Sequence, residues 1–248
     1  MSRRIIFLNS VFPCLSETFI YDQFTRLKAA GLDFAITANH RPEPNQVHPQ
    51  MHEIQAEVDY LCATPLRLLL WAHLWALVRR PLRYFHALGQ LGRGEEKFRT
   101  ALAQLSGAAV LVWRYDHGSD RPHLHAHFTY GAAAVALWAH RLAGLPYTLT
   151  LHGSDLIYDQ PPDLRVKLRQ AQHLVSISRF NADYLTRHYP EIPADRITVL
   201  PLGVPPLPPP PRPTPSPVLR ILNVGRLSVH KAQHYLVEAC ALLTTVGV

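Results

Sequence analysis

The sequence lacks the features of several protein classes. Its three cysteines, Cys14, Cys62 and Cys240, are far apart and odd in number, so no disulfide framework is predicted and a reducing compartment, the cytoplasm, is expected. The N-terminus is basic and then apolar, but the apolar run is short and no small-residue cleavage site follows it, so we predict a first strand and not a signal peptide. Residues 68–78 are apolar but too few to cross a bilayer, which takes about 20 residues.

Two common enzyme signatures are also missing. The loop after the first predicted strand, residues 9–19, reads NSVFPCLSETF and contains no glycine. Dinucleotide enzymes need G-x-G-x-x-G there so that the pyrophosphate can approach the backbone. Ser154 has His152 and Leu156 where a nucleophile elbow, G-x-S-x-G, requires glycines. These absences argue against an NAD-dependent dehydrogenase and against a serine hydrolase.

The charge is positive and unevenly distributed. The chain of 248 residues has a formal net charge of +7, and residues 65–94 contain arginines but no acidic residue. No zinc-finger spacing and no aromatic-and-basic signature accompany this charge, so nucleic acid is not expected as a partner. Residues 65–94 leave two interpretations open. They form a buried helix pair, which we favour, or an interfacial surface in which tryptophans and arginines contact an anionic membrane, peripherally on its inner face.

Strand and helix patterns alternate along most of the chain. A repeated strand–helix alternation is typical of an α/β fold, a doubly wound Rossmann-like parallel sheet. Helices are predicted at 17–30 with Ser16 as its cap, within 65–94 with a break at Pro81, and at 95–105, 130–143, 162–171 and 178–188. The predicted strands are 5–8, 32–37, 58–61, 110–113, 124–128, 147–151, 173–177 and 197–200.

A proline-rich segment divides the chain. Ten of residues 201–217 are proline, which excludes a helix or an interior strand and predicts a semi-rigid linker. We therefore predict an N-terminal Rossmann-like domain at 1–203, a linker at 204–217 and the start of a second domain at 218–248. In that second part a strand at 218–224 is followed by a helix.

Ligands of open α/β sheets bind at the carboxyl ends of the strands, so residues there are candidates for chemistry. Ser16 and Glu17 follow the first strand and are predicted at a helix N-terminus that faces the cleft, although simple helix capping explains Ser16 as well. His123, His125 and His127 alternate and share one face of a strand. A zinc site is not favoured because no nearby residue completes the ligand set. His127 is predicted to point into the cleft.

Two further loops carry polar groups. His152 and Asp155 follow a strand and are predicted to orient a substrate as catalytic residues. An ordinary turn, with Asp155 capping the next helix, is the alternative. Gly225 follows the predicted strand of the second part, and Arg226 and Lys231 lie near the following helix start. Two cations beside a helix N-terminus can hold a diphosphate.

Together these segments resemble the glycosyltransferases of family 4, which have the GT-B architecture of two facing Rossmann domains. The likeness is greatest to the branch that builds bacterial exopolysaccharides, including colanic-acid-type enzymes. It covers most of the chain, and the order and spacing of its motifs are specific. The segments that carry it are FPCLSETFIYDQFTRLKAAG, HLHAHFTYGAAAVALWAHRLAGLPYTLTLHGSDLIYD, HLVSISRFNADYL, ITVLPLGV and VGRLSVHKAQHYLVEAC.

The resemblance implies a retaining, metal-independent transfer of a sugar from a nucleotide diphosphate donor to a glycan or lipid-linked acceptor, with no other cofactor. In the family the N-terminal domain mainly binds the acceptor and the C-terminal domain mainly binds the donor. Cations at the diphosphate stabilise the charge that develops as the nucleotide leaves. The matching positions are His152 at the donor sugar, Arg226 and Lys231 at the diphosphate, Gly203 in the loop at the hinge side, and His127 and Glu17 facing the acceptor.

The chain departs from the family pattern in two ways. Ala232 stands where the family usually has glycine after the lysine, and this crowds the approach to the phosphate. The paired glutamates that hold the nucleotide ribose and the sugar are absent up to residue 248. We therefore expect a truncated chain that has little or no transferase activity by itself. The alternative is a non-catalytic module, derived from such an enzyme, that binds an acceptor or a membrane surface.

Overall fold

A computed structural model describes residues 4–116, 121–203, 209, 220–225 and 227–245. Its described part contains a seven-stranded sheet in the order β3-β2-β1-β4-β5-β6-β7, and every neighbouring pair is parallel. This is the predicted doubly wound α/β sheet, and the change of direction along the sheet falls between β1 and β4. The strands are β1 (Ile5–Val11), β2 (Phe34–His40), β3 (Asp59–Tyr60), β4 (His123–His127), β5 (Tyr147–Leu151), β6 (His173–Ser176) and β7 (Ile197–Val199).

Ten α-helices accompany these strands in the described part of the chain. The longest, α5, leads from the β3 side of the sheet to the central strand β4, and α6 follows β4 directly. The helices are α1 (Thr18–Ala29), α2 (His52–Ala56), α3 (Leu66–Arg79), α4 (Pro81–Gln90), α5 (Phe98–Tyr115), α6 (Gly131–Ala143), α7 (Ser154–Ile157), α8 (Leu164–Gln170), α9 (Arg179–His188) and α10 (Gln233–Thr245).

Alternation along β1 divides the core between the two faces of the sheet. Ile6 and Leu8 are buried in one cluster together with side chains of α5, α6 and α8. Phe7 belongs to a second cluster on the opposite face, where it packs against Phe24 of α1 with 4.8 Å between ring centroids. Both faces of β1 are therefore covered, as expected for a central parallel strand.

Helix α6 packs closely because most of its buried side chains are small. Ten of its residues are buried, and six of these are alanine. Alanine favours the helix and lets neighbouring backbones approach. The helix ends at Gly144, which has φ +67° and donates its backbone N–H to the carbonyl of His140. A glycine in the left-handed region is a common end for a helix.

The predicted strand at 110–113 is wrong, and so is the end of the preceding helix at 105. Residues 98–115 form the single helix α5. Ala109, Val110, Leu111 and Val112 are all 0% exposed, so this part of the helix is surrounded by other side chains. A continuous apolar run has no helical periodicity, and a short one cannot be distinguished from a buried strand by pattern alone.

The chain divides into two compact units, Met1–Val204 and Pro205–Val248. In the second unit a helix follows residue 225, as predicted, and it is α10. The predicted strand at 218–224 is not formed in residues 220–224, and residues 218 and 219 lie outside the described part. A strand exists only when it is hydrogen-bonded to a neighbour, and residues 220–224 have no such neighbour within the described chain.

The segment at 65–94 forms two helices that are only partly buried. Pro81 begins α4, so the predicted break is confirmed. Ala72, Ala76 and Ala87 are the residues of α3 and α4 that are buried, whereas several large apolar side chains point to solvent. The favoured interpretation as a buried helix pair is therefore wrong for one side of the pair. No helix in the described residues has the length and apolarity needed to span a bilayer.

Candidate functional site

Histidine and threonine side chains alternate across β4 and β5 on one face of the sheet. His125 contacts the hydroxyls of Thr148 and Thr150 through its two ring nitrogens, at 2.7 and 2.9 Å. His123 also contacts Thr148, at 3.1 Å. The parallel register places His125 opposite Thr148 and His127 opposite Thr150, which explains this ladder. The shared face predicted for the three histidines is confirmed.

The ladder ends at the carboxyl edge with a pair of histidines. His127 Nδ1 lies 3.3 Å from His152 Nε2, so one imidazole donates a hydrogen bond to the other. His127 is 1% exposed, and burial together with its two histidine neighbours holds its pKa well below the usual value. Both imidazoles are therefore neutral near pH 7, because burial disfavours the charged form of each ring.

Aromatic rings and a strained backbone hold His152 in place. Phe128 has φ +63°, which is a genuine outlier for a bulky residue. The ring centroid of His152 lies 4.1 Å from that of Phe128 and 4.9 Å from that of Phe19 on α1. Burial lowers the pKa of His152 to about 4. Strain of this kind persists only where the surrounding packing imposes it, and it often marks functional sites.

Asp155 joins the carboxyl ends of β4 and β5. Its Oδ2 accepts the backbone N–H of Thr129 at 2.9 Å, and its Oδ1 accepts the backbone N–H of His152 at 3.0 Å. The hydroxyl of Thr129 donates in turn to the Asp155 carbonyl at 2.9 Å. Asp155 is 0% exposed, and its carboxylate bonds the two loops to each other. Its catalytic role stays a prediction.

The electrostatics of Asp155 reflect two opposing causes. Burial raises its pKa to about 6, because it disfavours the charged form. Hydrogen bonds from backbone amides, including those of His152 and Thr129, stabilise the carboxylate and limit the rise. Asp155 lies in the first turn of α7, but the residue at the cap position is Gly153. The expected alternative, that Asp155 caps the next helix, is therefore wrong.

Gly153 allows the loop to turn directly after His152. It has φ +98°, and a Cβ atom there would lie 3.2 Å from Nδ2 and 3.3 Å from Oδ1 of Asn181. Asn181 lies in the first turn of α9, where its backbone N–H bonds to the Ser178 hydroxyl at 3.1 Å. The start of α9 therefore packs against the loop that carries His152.

Ser16 and Glu17 occupy the start of α1, but not as the sequence suggests. The helix begins at Thr18, and Glu17 is the cap residue without a side-chain capping bond. Ser16 is exposed and Glu17 is half-buried. The prediction that Ser16 caps this helix is wrong, since the chain continues through a turn in which the Glu17 N–H bonds to the carbonyl of Cys14. Their roles on the acceptor side stay a prediction.

The candidate donor residues lie mostly beyond the first unit. Gly203 is exposed, and a Cβ there would meet nothing within 4 Å. Gly225 and Lys231 are exposed residues of the second unit, and Lys231 ends a short 3-10 turn before α10. Arg226 lies outside the described residues. Ala232 adopts φ +55°, a conformation that glycine takes without strain, so the departure from the family pattern falls where glycine fits best.

Sequence reasoning missed Asn9 as a candidate site residue. It is 2% exposed, and both polar atoms of its amide lack a hydrogen-bond partner in the described part of the protein. Phe7 pairs with His125 in the β1–β4 register, so Asn9 follows on the same face beside His127, whose Nε2 is also without a partner. Buried polar groups are nearly always paired, so this cluster is suited to bind a polar group. A strand asparagine gives no motif that would reveal this.

No cluster of three or more histidine, cysteine or acidic residues in the described ranges is arranged to hold a metal ion. His123 and His125 contact threonine hydroxyls, and His127 contacts His152. The described arrangement is therefore a hydrogen-bonded row of imidazoles, of which His125, His127 and His152 have lowered pKa values, and such neutral rings can both accept hydrogen bonds from hydroxyl groups and donate to them.

Comparison with known proteins places these residues in a family context. The sequence model described as Glycosyltransferase Family 4 matches residues 16–206. A glycosyltransferase from Rickettsia africae ESF-5 has 16% sequence identity and a TM-score of 0.45, with 82% of this chain and 44% of that chain covered. The structure of TcCGT1 in complex with UDP has 12% identity and a TM-score of 0.41, with 96% and 55% covered. The chain thus spans about half the length of each. No curated protein matches the sequence.

The buried histidines predict a loss of stability in acid. Burial holds the pKa of His125 at about 3 and that of His152 at about 4, and it holds that of His127 well below the usual value. The unfolded chain therefore binds more protons below about pH 6.5, and stability falls as the pH falls from there. Asp155 opposes this by one proton between about pH 4 and pH 6, because the folded state raises its pKa.

Urea unfolding measured across this range should show a free energy that falls by at least about 1.4 kcal/mol per pH unit, the slope for one proton. His125→Asn should reduce the slope by about one proton's worth. The matched control His52→Gln removes an exposed histidine of α2, so it shows the effect of losing a histidine that is not buried. An identical slope in His125→Asn and the unchanged protein would contradict the assignment.

The Asp155 bridge predicts a large local contribution to stability. Asp155→Ala leaves two buried amide N–H groups unpaired, which should cost about 2–4 kcal/mol in the free energy of urea unfolding. Asp183→Ala, at an exposed aspartate of α9, is the control and should change stability by less than about 0.5 kcal/mol. Equal effects of the two substitutions would show that the bridge is not structurally important.

Proposed function

The chain belongs to glycosyltransferase family 4, and from that premise we propose that it forms the acceptor side of a retaining glycosyltransferase that uses a nucleotide diphosphate sugar. The observation that carries this is the pair His127 and His152, neutral and fixed at the carboxyl edge. Neutral imidazoles suit sugar hydroxyls, because each ring can both donate and accept a hydrogen bond. A glycan or lipid-linked saccharide in polysaccharide synthesis is the proposed acceptor.

The proposed function assigns roles to individual residues. His152 contacts the transferred sugar, and its position is set by Asp155 through the backbone N–H of His152. We reassign Asp155 from a catalytic to a positioning residue, since both of its carboxylate oxygens already accept backbone N–H groups. His127 supports His152 through the ring–ring hydrogen bond and faces the acceptor with Asn9. Lys231 and Arg226 are proposed to hold the diphosphate and to stabilise the charge that builds on the leaving group.

Transfer of sugar tests this proposal. The protein is incubated with labelled nucleotide sugars and saccharide acceptors, and the anomeric configuration of the product is determined by NMR. His152→Ala should lower kcat by about a hundredfold, as for other lost transition-state hydrogen bonds. His173→Ala is the matched control. That histidine is half-buried on β6 and bonds to Thr198 at 2.8 Å, on the same sheet.

Three results would change the conclusion. An inverted product would overturn the retaining mechanism, and equal turnover in the two histidine variants would remove His152 from the site. Binding of saccharide without any transfer would favour the alternative, a non-catalytic acceptor-binding or membrane-surface module.

We further propose that α3 and α4 contact an anionic membrane surface. Leu66, Leu70, Leu74 and Val78 recur every four residues on α3 and are 49–71% exposed, which places them in one apolar stripe. Leu82 and Phe85 of α4 are 86% and 62% exposed. Four of the five arginines in residues 65–94 are exposed, and the fifth, Arg80, is half-buried in an ion pair with Asp116. Apolar and cationic groups side by side suit a bilayer interface.

Liposome co-sedimentation tests this surface. The protein should bind vesicles that contain anionic phospholipid more strongly than neutral vesicles, and salt should weaken the difference. Leu70→Gln combined with Leu74→Gln should lower binding by about tenfold or more, since two exposed leucines lose their apolar contact. Leu32→Gln, at a leucine 44% exposed after α1, is the control. Equal binding to both kinds of vesicle would contradict the proposal.

A further inference from the structure

A separate cavity lies at the carboxyl end of β2, between α5 and the start of α6. Its volume is about 590 Å³, within the range of about 300–1,000 Å³ for small-molecule sites. Asn39 and His40 of β2, Gly131 of α6 and side chains of α3 and α5 line it. We call it the edge cavity. None of the predicted site residues lines it.

The exposed lining of the edge cavity is mainly apolar, and its polar groups come from the end of β2, from the loop before α3 and from α5, where Arg99 is charged. Leu61, Leu69, Leu102 and Val135 supply the apolar part. Leu102 is 39% exposed, so this apolar lining reaches the protein surface. One turn earlier on α5, Phe98 is 55% exposed. A saccharide alone does not require an apolar lining of this kind, whereas an alkyl chain gains free energy from it.

The cavity lies close to the histidine pair. Gly131 follows His127 by four residues, so the two are separated by at most about 14 Å along an extended chain. The pair and the cavity lie on opposite faces of the sheet, because His127 packs beside Phe7 and Phe24, whereas Val135 belongs to the cluster of α5 and α6. The loop of residues 128–130 crosses the carboxyl edge between them.

The carboxyl ends of β1 and β2 lie close to the start of α6. A Cβ atom at Gly131 would lie 3.0 Å from Nδ2 of Asn39, and the Ala132 N–H bonds to the Ser10 hydroxyl at 3.2 Å. The ends of β1 and β2 are therefore in contact with the start of α6. A molecule with one end in the cavity would have to pass over the outer side of this contact, at the carboxyl edge, to reach the histidines at the next strand.

We propose that the edge cavity binds the apolar chain of a lipid-borne acceptor, whose saccharide then lies at His127 and His152. This inference rests on the proposed glycosyltransferase function and specifies the class of its acceptor. The exposed apolar stripe of α3 begins at Leu66, three residues before Leu69 in the cavity wall. An acceptor held in a bilayer beside that stripe would have a short path into the cavity.

Binding of alkyl maltosides tests the proposal without a transfer step. Hexyl, octyl and decyl maltoside are titrated by calorimetry below their micelle-forming concentrations, with maltose as the chain-free reference. Each buried methylene should tighten Kd by about fourfold, from about 0.8 kcal/mol per group. The gain should stop once the chain fills the cavity. A gain that continues with length, or maltose that binds as tightly as the alkyl compounds, would overturn the proposal.

Substitutions in the wall separate the cavity from the membrane-facing stripe. Ala103 lines the cavity and is exposed, so Ala103→Trp should fill the space without damaging the core and weaken octyl maltoside by about tenfold or more. Ala56→Trp, at an exposed alanine of α2, should bind as the unchanged protein does. Leu69→Ala should shift the plateau to a longer chain. Weakened binding in Leu74→Gln but not in Ala103→Trp would place the chain on the open stripe and overturn the proposal.

Failure of this inference and failure of the proposed function give different results. If the protein is not a transferase, alkyl maltosides still bind with the predicted dependence on length while no sugar is transferred. If it transfers sugar to water-soluble saccharides and binds alkyl maltosides no better than maltose, only the edge cavity is misassigned.

Discussion

The position of β4 between β1 and β5 is the constraint on which the site depends. This register brings His127 beside β1 on one side and within 3.3 Å of His152 on the other. Asp155 then connects the ends of β4 and β5, because its carboxylate accepts one backbone N–H from the loop after each strand. A one-residue shift in the register of two strands would move every side chain of one strand to the other face. The buried Asp155 bridge at the ends of β4 and β5 opposes such a shift and so helps to keep His127 and His152 together.

The same burial that fixes the histidines also sets their chemistry. A ring buried among phenylalanines and other histidines remains neutral, so it offers hydrogen bonds and not charge. Charge stabilisation must then come from elsewhere, which is consistent with the proposed cations Arg226 and Lys231. In the proposed function the histidine side of the site therefore recognises hydroxyl groups, and the departing diphosphate is assigned to a different part of the chain.

The sequence predicted the elements whose residues repeat with the period of their secondary structure. Alternating histidines identified β4 and one shared face, and the strand–helix order indicated the parallel sheet. It failed where burial removes the period, as in α5, whose apolar run at 109–112 is covered on all sides. It also did not reveal the bridge that Asp155 forms between two loops, and it did not identify Asn9 as a candidate. Both are single polar residues whose surroundings are formed by residues of another strand or loop, and the spacing of residues along the chain does not predict such neighbours.

The carboxyl edge relates three features that the sequence presented separately. The histidine pair, the edge cavity and the start of α3 all lie around the strands β2, β1 and β4, joined by the contact of Gly131 with Asn39. An exposed apolar stripe on a protein surface has a cost in water unless something covers it. A bilayer that covers α3 would also present the apolar part of its lipids beside Leu69. In these two proposals, membrane contact and acceptor choice are consequences of one surface, since the stripe proposed to contact lipid is also the one beside the proposed cavity for a lipid chain.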